Sequence, residues 1–392
     1  MMAHRMSIWD DMSAELERMA AAGLLRRPVT LESAIGPRVR LDGREVVCLC
    51  SNDYLCLADD PEIKQAAAEA VATWGVGSGA SRLVCGTSTV HRELERRLAH
   101  FKHAQDAVVT STGWMANAAA VRTLAGAGDL VLCDKLNHAS ILDAARSSGA
   151  QMRTYPHRDM GRLAAMLGRR RSQYCRCLIV TDSLFSMDGD LAPLRELVEL
   201  KKRFDAQLLI DEAHATGVLG ENGRGAAELL GVEGEIDATV GTLSKALGCL
   251  GGFVAGPAPL IDLIRNTARP YIYTTAPPAA LCAAAVRALE IVQSQPQRRR
   301  TVLARGELLR SLLRGAGIST LDSCSQIVPV VVGEAGAAVE LSRRLLDAGF
   351  LVPAIRPPTV APGTSRLRIS LCSGHEDADV KRLVAALGAC LP

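Results

Sequence analysis

The sequence predicts an α/β protein, with a large domain on a mainly parallel sheet and a smaller C-terminal α+β domain. Three observations lead there. From Asp60 onward short apolar runs alternate with helical stretches, as expected of parallel strands covered on both faces by helices. Pro277-Pro278 then interrupts the chain, and a second set of strands and helices follows it. Five apolar runs of the first set end in polar residues able to do chemistry, and ligands of open α/β sheets sit at the carboxyl ends of strands. At 392 residues, 48% hydrophobic and 22% charged, the chain can build two cores.

Residues 1–55 read as a helical lead-in and a ribbon, with Gly43 turning between Arg38–Leu41 and Val46–Leu49. The large domain is expected over 56–283. Asp60 caps a helix with Pro61 at its first position, and Ile63, Ala67, Val71 and Trp74 form its face. His91, Leu94, Leu98 and Phe101 mark a second helix. Strands are expected at Ala107–Val109, Leu130–Cys133, Leu178–Val180, Gln207–Ile210 and Ala238–Gly241, with a helix from Leu194 to Phe204. The small domain, 284–392, opens on an Arg-rich helix. Its expected strands are Ile327–Val332, Leu351–Ile355 and Leu367–Leu371, its helices lie near 335–347 and 376–388, and a proline-rich loop runs from Ile355 to Gly363. No repeat of 20–50 residues is present.

Several function classes drop out. The net charge is only +3 and there is no basic run, so nothing points to nucleic acid. No uncharged apolar run is long enough to span a membrane, and the N-terminus has no apolar leader core, so a cytoplasmic protein is expected. Twelve cysteines without a C-x-x-C imply free thiols in a reducing compartment. Cys48/Cys50 and Cys175/Cys177 read as buried thiols on strand faces, and no metal site is expected. Asp211-Glu212-Ala213-His214 spells a helicase motif, but no Gly-Lys dipeptide exists to complete a phosphate loop. Gly75-Val76-Gly77-Ser78-Gly79 follows a helix rather than a strand, so it reads as a loop packed closely against a ligand or another backbone.

The strand ends carry the chemistry. Thr112-Gly113-Trp114 opens a helix after one strand, Asn137-His138 follows another, and Asp211 and Thr242-Leu243-Ser244-Lys245 end two more. Only seven lysines occur, and Lys245 and Lys135 both follow strands. A pyridoxal phosphate (PLP) site needs a lysine amine, an acid facing the ring nitrogen and backbone N–H groups for the phosphate. An ionised Asp211 would keep the ring nitrogen protonated and improve the ring as an electron acceptor. A capping aspartate and an ordinary lysine are the plainer alternatives.

Over most of its length the sequence resembles the α-oxoamine synthases, a family of fold-type-I PLP enzymes. The resemblance rests on Ser51-Asn52-Asp53-Tyr54-Leu55, Gly77-Ser78-Gly79-x-Ser81-Arg82, Asn137-His138-Ala139-Ser140, Phe185-Ser186-Met187-Asp188-Gly189-Asp190, Asp211-x-Ala213-His214-x-Thr216-Gly217 and Thr242-x-Ser244-Lys245. It implies a seven-stranded, mainly parallel sheet and a PLP-dependent decarboxylating acyltransferase. Lys245 resembles the Schiff-base lysine and Asp211 the partner of the ring nitrogen. His214 resembles the contact to the phenolic oxygen, and His138 the imidazole stacked on the ring. Gly113 and Trp114 resemble phosphate-side donors, although the family often has Phe or Tyr in place of Trp114. Ser186 and Thr242 resemble further cofactor ligands. Arg368, with Asn52 as its companion, resembles the holder of the amino-acid carboxylate, and Arg366 shares its strand face. Arg26 resembles an acyl-substrate contact, with Arg27 as its rival.

Within the family, Tyr271–Pro278 and Ala354–Val360 resemble the members that condense L-alanine with a pimeloyl thioester, carried on CoA or an acyl carrier protein. Arg356 and Thr359 there resemble residues facing the acyl chain. Glycine with acetyl-CoA or succinyl-CoA, and serine with a long acyl-CoA, are the alternatives within the family. The resemblance also implies a homodimer, with Tyr271–Thr275 and the 77–79 loop reaching across. Cys56 and Cys85 depart from the family pattern.

Overall fold

A computed structural model describes residues 7–390. The chain divides into two compact units: residues 52–303 with 372–374, and the remaining segments up to 51, 304–371 and from 375. The expected boundaries differ from this division. Rather than standing alone, the lead-in belongs to the unit that holds the C-terminal strands, because Phe350–Leu351 pairs in parallel with Val47–Cys48. The helix Ala279–Ser294 stays in the first unit, where it packs on Pro61–Trp74 and Thr89–Phe101.

The first unit is built on a seven-stranded sheet. Across the sheet the strands run Asp106–Thr110, Gly252–Gly256, Ala238–Thr242, Gln207–Asp211, Cys177–Asp182, Leu130–Asp134 and Gln151–Tyr155. Gly252–Gly256 runs antiparallel to both of its neighbours, and the other pairings of the sheet are parallel. The central strands are buried along their length because helices cover both faces. Val108, Val131, Leu178, Leu209 and Val240 pack there under Ala116, Ala119 and Ala120 of the helix Gly113–Leu124. Alanines on that face let the helix lie close to the sheet.

Two strands lie outside the expected set. Gln151–Tyr155 is a polar edge strand with one buried residue, so it has no apolar run. Gly252–Gly256 hides in a glycine-rich stretch, where Gly252 lets the backbone at Thr112 and Gly113 approach: a Cβ there would sit 2.5 Å from the Thr112 carbonyl. Gly75 and Gly79 have φ of +77° and +65° and open space around them. The turn requires those glycines, whereas the expected close backbone approach falls at Gly86, whose Cβ would lie 2.2 Å from the Ala80 carbonyl.

In the second unit, Asp42 and Gly43 both take positive φ and turn Arg38–Leu41 back on Arg44–Cys48. The expected strand Leu351–Ile355 is two short strands in different sheets: Phe350–Leu351 beside the ribbon and Ala354–Ile355 beside Ser365–Ser370. Pro353 lies between them and cannot donate to a ladder. Cys48 is buried with its sulfur 3.6 Å from that of half-buried Cys50, while Cys175 is exposed. The cysteine pairs are thus not uniformly buried.

Candidate active site

The sheet register brings the strand ends of the first unit together. Asp182 and Asp211 are direct partners on adjacent strands. Asp211 Oδ1 accepts from the Ala213 N–H at 2.8 Å, and Oδ2 accepts from Asn117 Nδ2 at 2.7 Å. Asp182 Oδ2 accepts the His138 N–H at 2.7 Å. Burial, then the charge of Asp211, pushes the Asp182 carboxyl well above its usual range. Two ionised carboxylates side by side repel, which is why the charge of Asp211 adds to the upward shift.

Lys245 follows the strand Ala238–Thr242, in a turn stapled by hydroxyls. Thr242 Oγ1 donates to the Gly251 carbonyl at 2.7 Å and accepts the Ser244 N–H at 3.1 Å. Ser244 Oγ accepts the Gly251 N–H at 3.0 Å. The Lys245 amine is half-buried and acts electrostatically on both His138 and Asp182. Lys135, the rival amine, is exposed.

His138 caps the helix Ala139–Ser147 and meets Trp114 edge-on at 6.1 Å between ring centres. Desolvation lowers its pKa; Asp211 opposes the shift and Lys245 reinforces it. Thr112 caps the helix Gly113–Leu124, accepting the Met115 N–H at 3.2 Å. The first-turn N–H groups of Gly113 and Trp114 lie outside the helix's own ladder. Gly113 backs onto Thr242, whose side chain would be 3.6 Å from a Cβ there. His214 is buried with its Nδ1 2.6 Å from the Tyr54 hydroxyl, which donates to Asn52 Oδ1 at 3.0 Å. Ser186 is half-buried in the turn that starts at Phe185.

Glu212, next to Asp211, takes no part in this cluster. It forms a buried ion pair with Lys102 at 2.8 Å and accepts the Ala227 N–H. Sequence reasoning missed Asn117, Ser140 and Asp182 as members of the cluster. Asp182 stood at a strand end like Asp211, and that was its available signal. Asn117 lies one turn into an alanine-rich helix and gave none.

In the second unit, Arg26 and Arg356 clasp the lead-in to the proline-rich loop. Arg26 Nη2 donates to the Pro357 carbonyl at 2.7 Å, and Arg356 donates to the carbonyls of Gly23 at 2.8 Å and Leu25 at 3.2 Å. Desolvation and the neighbouring charge of Arg26 lower the Arg356 pKa. Arg27 and Thr359 are exposed. Arg366 and Arg368 are both buried on Ser365–Ser370; Arg366 Nε donates to the Thr364 carbonyl at 3.1 Å, and Arg368 donates to Ser370 Oγ at 2.8 Å. Arg368 also acts on the Cys50 thiol.

The sheet order and the amine–carboxylate–imidazole cluster at its strand ends define the class, a fold-type-I PLP-dependent transferase. The chain belongs to the aminotransferase class I and II family, whose sequence model matches residues 44–387. It is 49% identical over 377 residues to the 8-amino-7-oxononanoate synthase of Geobacter sulfurreducens, covering 96% of each chain. Among solved structures it resembles the serine palmitoyltransferase of S. paucimobilis, solved with a bound PLP–myriocin aldimine, at 33% identity and a TM-score of 0.92 over 97% of each chain. It also resembles the 8-amino-7-oxononanoate synthase of Francisella tularensis, at 27% identity and a TM-score of 0.76, covering 88% of this chain and 97% of that one. PLP is the cofactor, and the donor set fits it: a buried carboxylate for the ring nitrogen, a half-buried amine, and a helix start with free N–H groups. Among the described residues, no helix is long and apolar enough to cross a membrane, and no group of three or more His, Cys, Asp or Glu could hold a metal ion.

Proposed function

We propose that this protein catalyses the decarboxylative condensation of L-alanine with a pimeloyl thioester to give 8-amino-7-oxononanoate, a step of biotin biosynthesis. The observation that carries this reading is the 49% identity to an 8-amino-7-oxononanoate synthase over 96% of both chains. The higher TM-score to serine palmitoyltransferase reports a shared backbone at 33% identity, and a backbone does not choose an acyl chain.

When bound, PLP supplies an electrophilic aldehyde and an electron-accepting ring. Lys245 would be the amine that tethers the cofactor and the base that takes the proton from alanine Cα. Asp211 would accept from the ring nitrogen and hold its charge. His138 would lie against the ring, and His214 would address the phenolic oxygen. The N–H groups of Gly113 and Trp114, with Ser186 and Thr242, would complete the cofactor's hydrogen bonds. Arg368 pairs with the alanine carboxylate, helped by Asn52, because a planar guanidinium matches two oxygens at once. Arg26, Arg356 and Thr359 face the acyl substrate. The two adjacent guanidinium groups of the clasp, bonded to neutral carbonyls, favour an anion such as a distal carboxylate.

The protein acts as a homodimer. Leu83, Val84, Tyr273 and Val76 of the first unit are between 54% and 79% exposed, and Ser81 bridges Thr275 to bring two of their segments together. A patch of that kind is a candidate subunit interface.

The test offers alanine, glycine and serine with pimeloyl-, acetyl-, succinyl- and palmitoyl-CoA to the PLP-loaded protein. Thiol release and CO₂ with alanine and pimeloyl-CoA should exceed every other pair at least about tenfold, a discrimination of about 1.4 kcal/mol. Preference for glycine or serine would overturn the reading.

A further inference from the structure

His138 ends a hydrogen-bond chain whose polarity is set at its far end. Asp211 Oδ1 accepts the Ala213 N–H at 2.8 Å, and its Oδ2 faces the amide nitrogen of Asn117 at 2.7 Å. The same nitrogen lies 2.9 Å from Ser140 Oγ. One hydrogen goes to Asp211 and the other to Ser140, and Asn117 is buried. Ser140 Oγ, already accepting, has its single hydrogen left to donate, and 2.8 Å away stands His138 Nδ1. The backbone N–H of Ser140 points at the same nitrogen from 3.3 Å, as the helix cap. The Ser140 backbone N–H fixes Nδ1 as an acceptor, and the hydroxyl hydrogen directed at the same nitrogen completes the pair.

We infer that Asn117 and Ser140 are positioning residues that lock His138 as the imidazole protonated on Nε2 alone. Desolvation works in the same direction by holding the ring neutral. A second proton on Nδ1 would cost the helix cap, the Ser140 bond and the orientation of the Asn117 amide together. The tautomer stands on these hydrogen bonds alone; its chemical meaning rests on the function proposed above. There, His138 presents a permanent N–H donor at Nε2, suited to hold a carboxylate or carbonyl oxygen. Lys245 is left to move the Cα proton. The chain also links the two groups expected to contact the cofactor ring, so the charge of Asp211 sets the hydrogen position on the stacked imidazole.

The experiment is long-range ¹H–¹⁵N NMR of the full-length protein labelled at histidine nitrogens, with and without PLP. His138→Gln assigns the resonances by removing them. In the unmodified protein Nδ1 should show the shift of an unprotonated ring nitrogen and Nε2 that of a protonated one. Ser140→Ala should move the tautomer ratio about fivefold toward hydrogen on Nδ1, the ratio equivalent to about 1 kcal/mol. Asn117→Ala should move it the same way, and Ser140→Thr should restore it. A protonated Nδ1 in the unmodified protein would overturn the inference, and so would a ratio unmoved by both alanine variants. Should a variant fail to fold, the unmodified spectrum decides alone. PLP loading is read separately by borohydride trapping, so a protein that never loads PLP would sink the proposed reaction while the apo spectrum still tests the tautomer.

Discussion

Lys245 is one lysine of seven, and its surroundings separate it from the rest. Lys102 is consumed by Glu212 and Thr216, and Lys201 by Asp237. Lys135 is exposed, whereas Lys245 is half-buried and acts electrostatically on His138 and Asp182. Lys245→Ala should therefore abolish the PLP adduct trapped by borohydride, read by mass spectrometry of the intact chain. Reduced PLP still found on that variant, at Lys135 for instance, would refute the assignment. The two arginines of Ser365–Ser370 can be separated in the same spirit. Arg368→Lys should raise the KM for alanine about tenfold or more, because a point charge replaces a fork, while Arg366→Lys leaves it within about threefold. Steady-state kinetics with the acyl donor saturating would expose the reverse order.

At the scale of elements, the site depends on contacts that hold turns in register. Gly252 lies where a strand passes against the start of the helix Gly113–Leu124. Gly252→Ala would drive a methyl group into Thr112 and Gly113, destabilise the chain by about 1–3 kcal/mol, and weaken PLP retention about tenfold, measured by titration of the apo protein. Unchanged retention would mean that this helix start does not hold the phosphate. A second lock is His157, which bridges Asp134 at 3.0 Å and Asp190 at 2.9 Å and meets Phe185 edge-on. It ties a strand end to the turn carrying Ser186. Burial disfavours the charged ring, but the two carboxylates outweigh it and push the pKa up to about 9. A raised folded-state pKa stabilises fully below the ordinary value of 6.5, and the contribution disappears as pH rises through 9. Stability should fall over that window by on the order of 1–3 kcal/mol, read as a falling melting temperature, and His157→Gln should flatten the fall. A wild-type curve flat from pH 6.5 to 9 would show that the bridge is not charged.

At the scale of the whole molecule, the proposed dimer rests on the exposed apolar residues of the first unit. Light scattering should give twice the 41.6 kDa chain mass, and Val84→Asp with Tyr273→Asp should shift the particle toward one chain. A monomeric parent protein would remove the argument for subunit pairing. Much of this architecture was legible beforehand. The central strands announced themselves because burial on both faces leaves them uniformly apolar. Gln151–Tyr155 and Gly252–Gly256 were hidden, one by its polar edge position and the other by glycines chosen for close approach.

The order of residue types along the chain, read together with the family resemblance, pointed to the class of chemistry. An amine and carboxylates at strand ends and a helix opening on Gly113 could be found along the chain, because strand ends and helix starts are local features with local signals. Tertiary structure alone decided which groups meet. Strand register put Asp182 beside Asp211. Packing of an alanine-rich helix brought Asn117 between Asp211 and Ser140. Two distant segments had to close on each other before Arg26 could reach the carbonyl of Pro357. Each of these is a contact between residues far apart in sequence, and no periodicity or propensity along the chain carries that information.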